Sequence, residues 1–223
     1  MTSGGPLHEW DVSYAEARRI QEELAGRVRL VRLPSGILHV AGADVAFSPR
    51  RGTYVAAVAV LSLPGLELVE ERLAELRAHF PYIPGLLSFR EAPVVLKAFA
   101  MLRCRPDAVI LDGQGIAHPR RCGLASHIGL WLGMPTVGCA KSRLIGEHDA
   151  PGLRKGDWAA LRDGGEQIGS VLRTRNGVKP LYVSPGHLCD HEGARQLVLN
   201  CCTCYRLPEP TRLAHRAVER AKA

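Results

Sequence analysis

Residues 37–77 read ILHVAGADVAFSPRRGTYVAAVAVLSLPGLELVEERLAELR, and this stretch decides the fold. It contains three runs of aliphatic and β-branched residues, at 37–49, 53–65 and 66–77, with turn-like SPRRG and LPG sequences between them. Such runs bounded by Gly and Pro are typical of strands, so we predict two consecutive hairpins, that is, an antiparallel meander. The composition of the third run would also suit a helix, but the short LPG connection favours a strand.

The rest of the chain alternates between helical patterns and short apolar runs. A helix is predicted before the meander, at residues 11–25, where apolar residues recur at helical spacing. After the meander, apolar runs such as 107–115 (DAVILDGQG) are typical of buried parallel strands, and residues 146–165 are the most loop-like part. The sequence therefore predicts a single α/β domain over residues 1–223, with one mixed central sheet flanked by helices. Further helices are predicted at 91–104, 120–133, 193–202 and 210–223, and further strands at 134–142, 166–174 and 179–187.

The composition indicates a globular protein that favours polyanions. The net charge is +7 at pH 7, and Lys and Arg side chains gain free energy by releasing counterions from phosphates. No apolar run approaches the roughly 20 residues of a membrane span, and the N-terminus lacks the pattern of a signal peptide. We therefore expect a cytoplasmic protein without a membrane partner. The seven cysteines are unevenly spread, which indicates reduced thiols rather than a disulfide framework.

Two carboxylates on predicted strands are the first candidates for chemistry. Asp44 lies inside the apolar run HVAGADVAF, where an unpartnered carboxylate would be costly to bury. Asp112 ends the run AVIL at the carboxyl end of a predicted strand, where ligands of α/β sheets gather, although a turn-forming Asp-Gly explains that motif equally well. Across neighbouring strands the two carboxylates could together hold Mg²⁺, a hard cation that prefers a few carboxylates plus substrate phosphates.

The segment 79–93, HFPYIPGLLSFREAP, combines a stiff tip with a third carboxylate. Each proline of Pro-Tyr-Ile-Pro-Gly fixes φ and removes a hydrogen-bond donor, so this part is predicted to be extended. Glu91 follows in Ser-Phe-Arg-Glu, which fits a helix capping box that starts at Ser88. From residue chemistry alone, a structural role for Glu91 is the favoured interpretation.

Several basic side chains have two interpretations each. Lys141, at the end of the predicted strand 134–142, either meets a phosphate or developing charge or is an ordinary solvated lysine. His118 could bind phosphate or a metal, with Arg120 adding positive charge, or it could belong to a solvated basic loop. His215 lies in the last predicted helix, where a surface or packing histidine is the usual case.

The cysteines near the C-terminus give a weak indication of zinc. Their spacing in HLCDHEG and NCCTC matches no familiar pairing of zinc ligands, so buried thiols are the favoured interpretation. The residues concerned are Cys189, His191, Cys201, Cys202 and Cys204.

Six segments occur in a distinctive order along the chain: VAGADVAF, PYIPGLLSFRE, DAVILDGQGIAHPRR, PTVGCAKSRLIG, LYVSPGH and LPEPTRLAH. In this order they resemble the endonuclease V family, whose members nick nucleic acid beside deaminated adenine (inosine). The combination of PYIPG, SFRE and DGQGIAHPRR is highly specific, and the resemblance covers most of the chain between about residues 38 and 216. It implies a ribonuclease H-like fold, which agrees with the predicted meander and mixed sheet.

The resemblance also implies roles for individual residues. Asp44, Glu91 and Asp112 would bind a divalent metal ion. The expected ion is Mg²⁺, for which Mn²⁺ could substitute. His215 would approach the same site from the last helix, and Lys141 would stabilise charge near the scissile phosphate.

The resemblance further implies that Tyr82 and its neighbouring prolines form a wedge that enters the duplex. The altered base would lie flipped out of the stack in a pocket. The residues that would contact substrate are Tyr82, Pro84, Gly85, Leu87, Gly113, His118 and Arg120.

The implied activity is that of a metal-dependent endonuclease. It would act as a monomer and nick the second phosphodiester on the 3′ side of deoxyinosine. The products would carry 3′-hydroxyl and 5′-phosphate ends. The expected partner is DNA containing deoxyinosine, or inosine-containing RNA. Two other classes stay open. One is a non-catalytic nucleic-acid-binding protein on the same fold, which the intact acidic set disfavours. The other is a different ribonuclease H-like nuclease, which the PYIPG tip disfavours.

Overall fold

A single sheet of eight strands lies between two layers of helices in the computed structural model, which describes residues 6–77 and 80–222. Within these ranges, no helix combines the length and the apolar character that crossing a membrane would need. The strands are β1 (His39–Ser48), β2 (Thr53–Ser62), β3 (Leu68–Arg77), β4 (Ala108–Leu111), β5 (Thr136–Ala140), β6 (Trp158–Asp163), β7 (Glu166–Leu172) and β8 (Leu181–His187). The helices are α1 (Tyr14–Ala25), α2 (Leu87–Ala100), α3 (Leu124–Leu132), α4 (His191–Asn200) and α5 (Glu209–Lys222).

The strand order is β3-β2-β1-β4-β5-β8-β7-β6. β1, β2 and β3 form the predicted antiparallel meander, and the third run is a strand, as its short connection indicated. β4 runs parallel to β1 and β5 runs parallel to β4, whereas β8, β7 and β6 are each antiparallel to the preceding strand in this order. A meander followed by parallel strands, with helices on both faces, confirms the predicted ribonuclease H-like α/β fold class.

Alternate residues of the central strands face two different helical layers. On one face, side chains such as Ala41 and Val58 pack against α2 and α3. On the other face, Ala57 and Ala59 of β2 pack against α5, and Val40 packs in the cluster that includes α4. Because successive side chains of a strand point to opposite faces, the meander packs against helices on both of its faces. This arrangement allows helices from both layers to reach the same end of the strands.

The prediction of a loop over residues 146–165 was wrong in part, because β6 lies within it and pairs with β7. Gly164 and Gly165 form the hairpin turn with φ of 60° and 85°, values that glycine adopts at little cost. β6 is the last strand of the sheet, and only Leu161 among its residues is buried. An edge strand with one buried residue has a weak apolar pattern. The Gly-rich turn therefore led to the prediction of a loop.

The capping-box interpretation of Ser88 and Glu91 was also wrong. α2 begins at Leu87, its N-cap position is Leu86, and no side chain caps it. Ser88 lies inside the first turn, where its hydroxyl is 2.9 Å from Nδ1 of the buried His127. Tertiary packing of the first turn therefore starts this helix, and Glu91 is free of a capping role.

Candidate active site

The register of the sheet brings Asp44 and Asp112 together. β1 and β4 run parallel, with Ala43 opposite Leu111, so the next residues of the two strands are Asp44 and Asp112. Burial raises the pKa of the Asp44 carboxyl, the hydrogen bond with His215 opposes that rise, and the negative charge of Asp112 adds to it. Two acidic side chains thus lie side by side at the carboxyl end of β4.

Glu91 joins these aspartates from α2. Burial raises the pKa of its carboxyl to about 8, and the negative charges of Asp44 and Asp112 contribute to the rise. No hydrogen bond to this carboxyl is present in the part of the chain that the structure describes. Since a like charge shifts a pKa strongly only at close range, the three residues form one electrostatic cluster, here called the carboxylate cluster.

His215 reaches the carboxylate cluster because α5 packs tightly on β1. A Cβ atom on Gly42 would lie 2.1 Å from the backbone carbonyl carbon of Pro210, so only glycine permits this approach. Further along α5, Nδ1 of His215 lies 2.7 Å from Oδ2 of Asp44. The structure therefore places His215 at the acidic site, although its position in the sequence suggested an ordinary helix-surface histidine.

Lys141 follows β5 directly and forms an ion pair with Asp112. Partial burial lowers the pKa of its ammonium group, but the hydrogen bond to Asp112 and the attraction of that carboxylate outweigh burial and raise the pKa. Lys141 therefore carries its positive charge at neutral pH. Its side chain is 43% exposed, so the ammonium group is accessible from solvent as well as from the cluster.

The donor chemistry of the carboxylate cluster fits a hard divalent cation. Oxygen ligands are those that such ions prefer, and a cation would offset both the burial of Glu91 and the repulsion by Asp44 and Asp112, which together raise the pKa of Glu91. Asp44, Glu91 and Asp112 are the residues that would hold it. Among residues 6–77 and 80–222, no three His, Cys, Asp or Glu side chains already form a tight ligand set, so the carboxylates would have to draw closer around an ion.

A pocket of about 390 Å³ opens beside the carboxylate cluster, shares Asp112 with it and is also lined by Lys141, the ion-pair partner of Asp112. Its volume lies within the range of roughly 300–1,000 Å³ that is typical of small-ligand sites. Six of the seven predicted substrate-contacting residues line it, namely Tyr82, Pro84, Gly85, Leu87, Gly113 and His118. The seventh, Arg120, lies behind the wall and hydrogen-bonds to it.

The prediction of an extended tip was wrong in part, because residues 83–86 form a tight turn at the pocket wall. The N–H of Leu86 donates to the carbonyl of Ile83 at 2.9 Å, and Gly85 has a φ of 78°, as the third position of a type II turn requires. Tyr82 extends from this turn with 66% of its surface exposed. The Arg90 guanidinium lies 5.5 Å from the centre of the Tyr82 ring, within range of a cation–π contact.

His118 and Arg120 both hold the carbonyl oxygen of Gly85. His118 Nε2 lies 2.9 Å from this oxygen, and Arg120 Nη2 donates to it at 2.7 Å. The other ring nitrogen of His118 accepts the backbone N–H of Arg120 at 3.2 Å. Burial and the nearby Arg120 charge lower the pKa of His118 to about 4, so the imidazole is neutral at pH 7 and donates through Nε2. Both ring nitrogens are engaged by the protein, which favours a supporting role in the pocket wall.

Sequence reasoning missed part of the pocket lining. Gln21 was overlooked although it shares the buried face of α1 with Ala17, Ile20 and Leu24. A polar residue on an apolar helix face is the signal that could have identified it. The other lining residues that were missed include Ile83, Ser88, Gln114, Gly123, Leu124, Ala140, Ser142, Arg143 and Leu144.

The cysteines do not form a metal centre. All seven are free thiols, and Cys189, Cys201 and Cys202 are buried in one apolar cluster. Burial raises the pKa of each of these three thiols to about 12. Burial agrees with the interpretation of buried thiols for these three residues, whereas Cys204 is exposed and departs from it.

Comparison with known protein families gives one consistent match. A family model described as Endonuclease V matches residues 22–216. Endonuclease V of Dehalococcoides mccartyi (strain ATCC BAA-2100) is 51% identical over 211 residues, which cover 95% of each chain. Endonuclease V of Methanothrix thermoacetophila is 50% identical, over 94% of this chain and 92% of the relative.

Solved structures agree with the sequence relatives. The crystal structure of endonuclease V from Streptomyces avermitilis has a TM-score of 0.91 and 44% identity, covering 95% of this chain and 94% of the other. Endonuclease V of Ciona intestinalis, in complex with a 23mer DNA containing an inosine followed by a ribo-adenosine, has a TM-score of 0.84 and 28% identity. The match covers 95% of this chain and 98% of that protein.

Proposed function

Because the chain belongs to the endonuclease V family, we propose that it is a repair nuclease that nicks the second phosphodiester on the 3′ side of deoxyinosine. It would leave 3′-hydroxyl and 5′-phosphate ends. The observation that carries the proposal is that the pocket and the carboxylate cluster meet at Asp112. A base held in the pocket would bring the backbone of its own strand next to the carboxylates.

Membership of the family implies a divalent metal cofactor, and we propose Mg²⁺, with Mn²⁺ as a substitute. Asp44, Glu91 and Asp112 would hold it, since hard oxygen ligands are those that Mg²⁺ prefers. When bound, such an ion supplies Lewis acidity at the phosphate and lowers the pKa of an attacking water.

Two basic residues would support the carboxylates. The ammonium group of Lys141, which pairs with Asp112, lies where it would also stabilise negative charge that develops on the phosphate oxygens. Nδ1 of His215 contacts Oδ2 of Asp44 at 2.7 Å and so would fix the orientation of that carboxylate, as outer partners of ligating groups commonly do.

Recognition would take place on the base, away from the cleaved bond. Flipping a base out of a duplex costs a few kcal/mol, and less when the base is weakly paired, which favours hypoxanthine over normal bases. A rigid aromatic side chain inserted into the stack would fill the gap that the base leaves. Tyr82 is exposed on a tight turn at the pocket wall and suits that role.

The proposed function is tested by incubating the purified protein with matched duplexes that carry either deoxyinosine or adenine at one position. We expect Mg²⁺-dependent nicking at the second phosphodiester 3′ to deoxyinosine and none in EDTA. Binding without nicking in Mg²⁺ or Mn²⁺ would indicate the non-catalytic alternative, and equal nicking of both duplexes would refute recognition of the deaminated base.

Substituting the exposed tip residue, Tyr82→Ala, is expected to lower the ratio of nicking at deoxyinosine to nicking at adenine by about tenfold. The reason is that stacking of a base on an aromatic ring contributes about 1–3 kcal/mol. The ratio is measured under single-turnover conditions. Trp158→Ala is the matched control, because Trp158 is also exposed and also lies under a guanidinium, that of Arg195 at 3.8 Å, but on the last strand of the sheet. An unchanged ratio for Tyr82→Ala would exclude the wedge.

A second candidate substrate is RNA that contains inosine. The observation that favours it is the nucleic acid bound by the Ciona intestinalis relative, in which a ribo-adenosine follows the inosine. Strands of the same sequence with deoxyinosine or ribo-inosine distinguish the two substrates. A higher kcat/KM for the ribo-inosine strand would assign the protein to RNA.

A further inference from the structure

A buried amide in α1 connects the first helix to the pocket. Gln21 is 1% exposed and lies on the apolar face that packs in the cluster of Ile20, Leu24 and Phe89. A polar group buried in such surroundings is costly unless it is hydrogen-bonded, and both ends of this amide are. Gln21 Nε2 donates to the carbonyl of Cys122 at 3.0 Å, and the side-chain oxygen Oε1 accepts a hydrogen bond from Arg120.

The acceptor end of Gln21 holds the Arg120 guanidinium. Arg120 Nε donates to Gln21 Oε1 at 2.7 Å, while Nη2 of the same group donates to the Gly85 carbonyl at 2.7 Å. A guanidinium is planar and rigid, so these two contacts together fix its orientation. The amide of Gln21 therefore determines how Arg120 meets the pocket wall.

Gly85 is the point where this chain of hydrogen bonds reaches the tip. It is the third residue of the turn over residues 83–86, which directly follows Tyr82, and a Cβ atom on Gly85 would lie 3.0 Å from Arg120 Nη2. The guanidinium is thus packed directly behind the turn. A displacement of Arg120 would leave the Gly85 carbonyl held by His118 alone.

We propose that Gln21 is a positioning residue for the pocket: through Arg120 it holds the Gly85 turn, and with it Tyr82, in the geometry that accepts the deaminated base. This inference rests on the proposed function, because it takes the pocket as the base site. Gln21 lies just before the segment matched by the family model, residues 22–216. It touches neither the carboxylate cluster nor the bond that would be cut, so its effect would be on base selection.

The test is Gln21→Met, which keeps the length of the side chain and removes both hydrogen bonds. We expect the deoxyinosine-to-adenine nicking ratio to fall about tenfold, since a buried hydrogen bond to a charged group contributes that much to an equilibrium or a rate. Gln21→Glu keeps the acceptor for Arg120 and is expected to retain most of the ratio. If the Met variant does not fold, Gln21→Asn, which is too short to reach Arg120, replaces it.

Two further variants distinguish the proposed positioning role of Gln21 from a purely structural one. Leu24→Ala loosens the same face of α1 without touching the hydrogen bonds, so it is expected to lower the melting temperature and leave the nicking ratio unchanged. If Gln21 acts through Arg120, the double variant Gln21→Met/Arg120→Met is expected to have the same ratio as Arg120→Met alone.

Three outcomes would overturn the inference. A ratio for Gln21→Met within about twofold of wild type, or losses that multiply in the double variant, would refute the coupling to Arg120 while leaving the proposed function intact. A wild-type protein that nicks deoxyinosine and adenine duplexes equally would refute the proposed function itself, and the inference with it.

Discussion

Asp44→Asn and Asp112→Asn are each expected to abolish nicking of a deoxyinosine duplex while leaving binding of that duplex measurable. Both residues lie in the carboxylate cluster, adjacent across β1 and β4. Loss of one anionic ligand weakens the hold on a divalent cation that supplies several kcal/mol at the phosphate. Because each 1.36 kcal/mol is a factor of ten, we expect the single-turnover rate to fall by about a thousandfold or more.

Binding is expected to survive because it depends on surfaces that these substitutions do not change. The chain has a net charge of +7, and contacts with phosphates dominate the affinity of such proteins for nucleic acid. Asp149→Asn, which changes an exposed carboxylate, is the matched control and should nick at the wild-type rate. Full nicking by both cluster variants would exclude the metal site, and loss of binding together with nicking would point to misfolding.

The positions of these two aspartates could be predicted from sequence because the rules involved are local. A meander followed by an apolar run that ends in Asp-Gly specifies two strands, and each strand carries one carboxylate. The pairing of β1 with β4 then places Asp44 and Asp112 side by side. Strand pattern thus predicted one carboxylate on each of two strands, whereas the parallel pairing that sets Asp44, in the middle of β1, beside Asp112 is a contact that the structure supplies.

Other parts of the site depend on tertiary contacts that no local rule contains. The sequence around Glu91 satisfies a capping box, yet the helix begins at Leu87, and packing of its first turn decides the role of the glutamate. Gln21 lies 99 residues before its partner Arg120 in the chain, so its hydrogen bonds cannot be read from spacing. The edge strand β6 was missed for a third reason, namely that it buries a single residue, Leu161.

Glu91→Gln is expected to stabilise the metal-free protein at pH 8 and to abolish its nicking activity. The pKa of Glu91 is raised from its ordinary value of 4.5 to about 8, first by burial and then by the charges of Asp44 and Asp112. The folded state therefore holds this proton more tightly than the unfolded state does. The stability that results is fully present below pH 4.5 and is lost as the pH rises through 8.

The size of this effect on stability follows from the size of the pKa shift of Glu91. One pKa unit corresponds to about 1.4 kcal/mol, so ionising Glu91 costs the metal-free fold a few kcal/mol at pH 8. Because glutamine has the same size and no ionisable proton, the Glu91→Gln variant is not destabilised in this way. We expect its melting temperature in EDTA to exceed that of wild type by about 5–10 °C at pH 8 and to be nearly equal at pH 5, as measured by calorimetry across this range.

Glu192→Gln provides the control, because Glu192 is an exposed glutamate in the first turn of α4. A negative charge at a helix N-terminus is slightly favourable, so this substitution is expected to lower the melting temperature a little at both pH values. A Glu91→Gln variant that melts below wild type at pH 8 in EDTA would contradict the raised pKa of Glu91 and the stability cost of its ionisation.

Addition of Mg²⁺ is expected to reverse the order of stability. A ligand that binds only the folded state stabilises it by about 2.7 kcal/mol at a hundredfold excess over its Kd, and only wild type keeps all three proposed ligands, Asp44, Glu91 and Asp112. The variant lacks one charge, gains less and does not nick. The carboxylate whose ionisation destabilises the metal-free fold, first through burial and then through the charges of Asp44 and Asp112, is therefore also the one that would complete the proposed set of metal ligands.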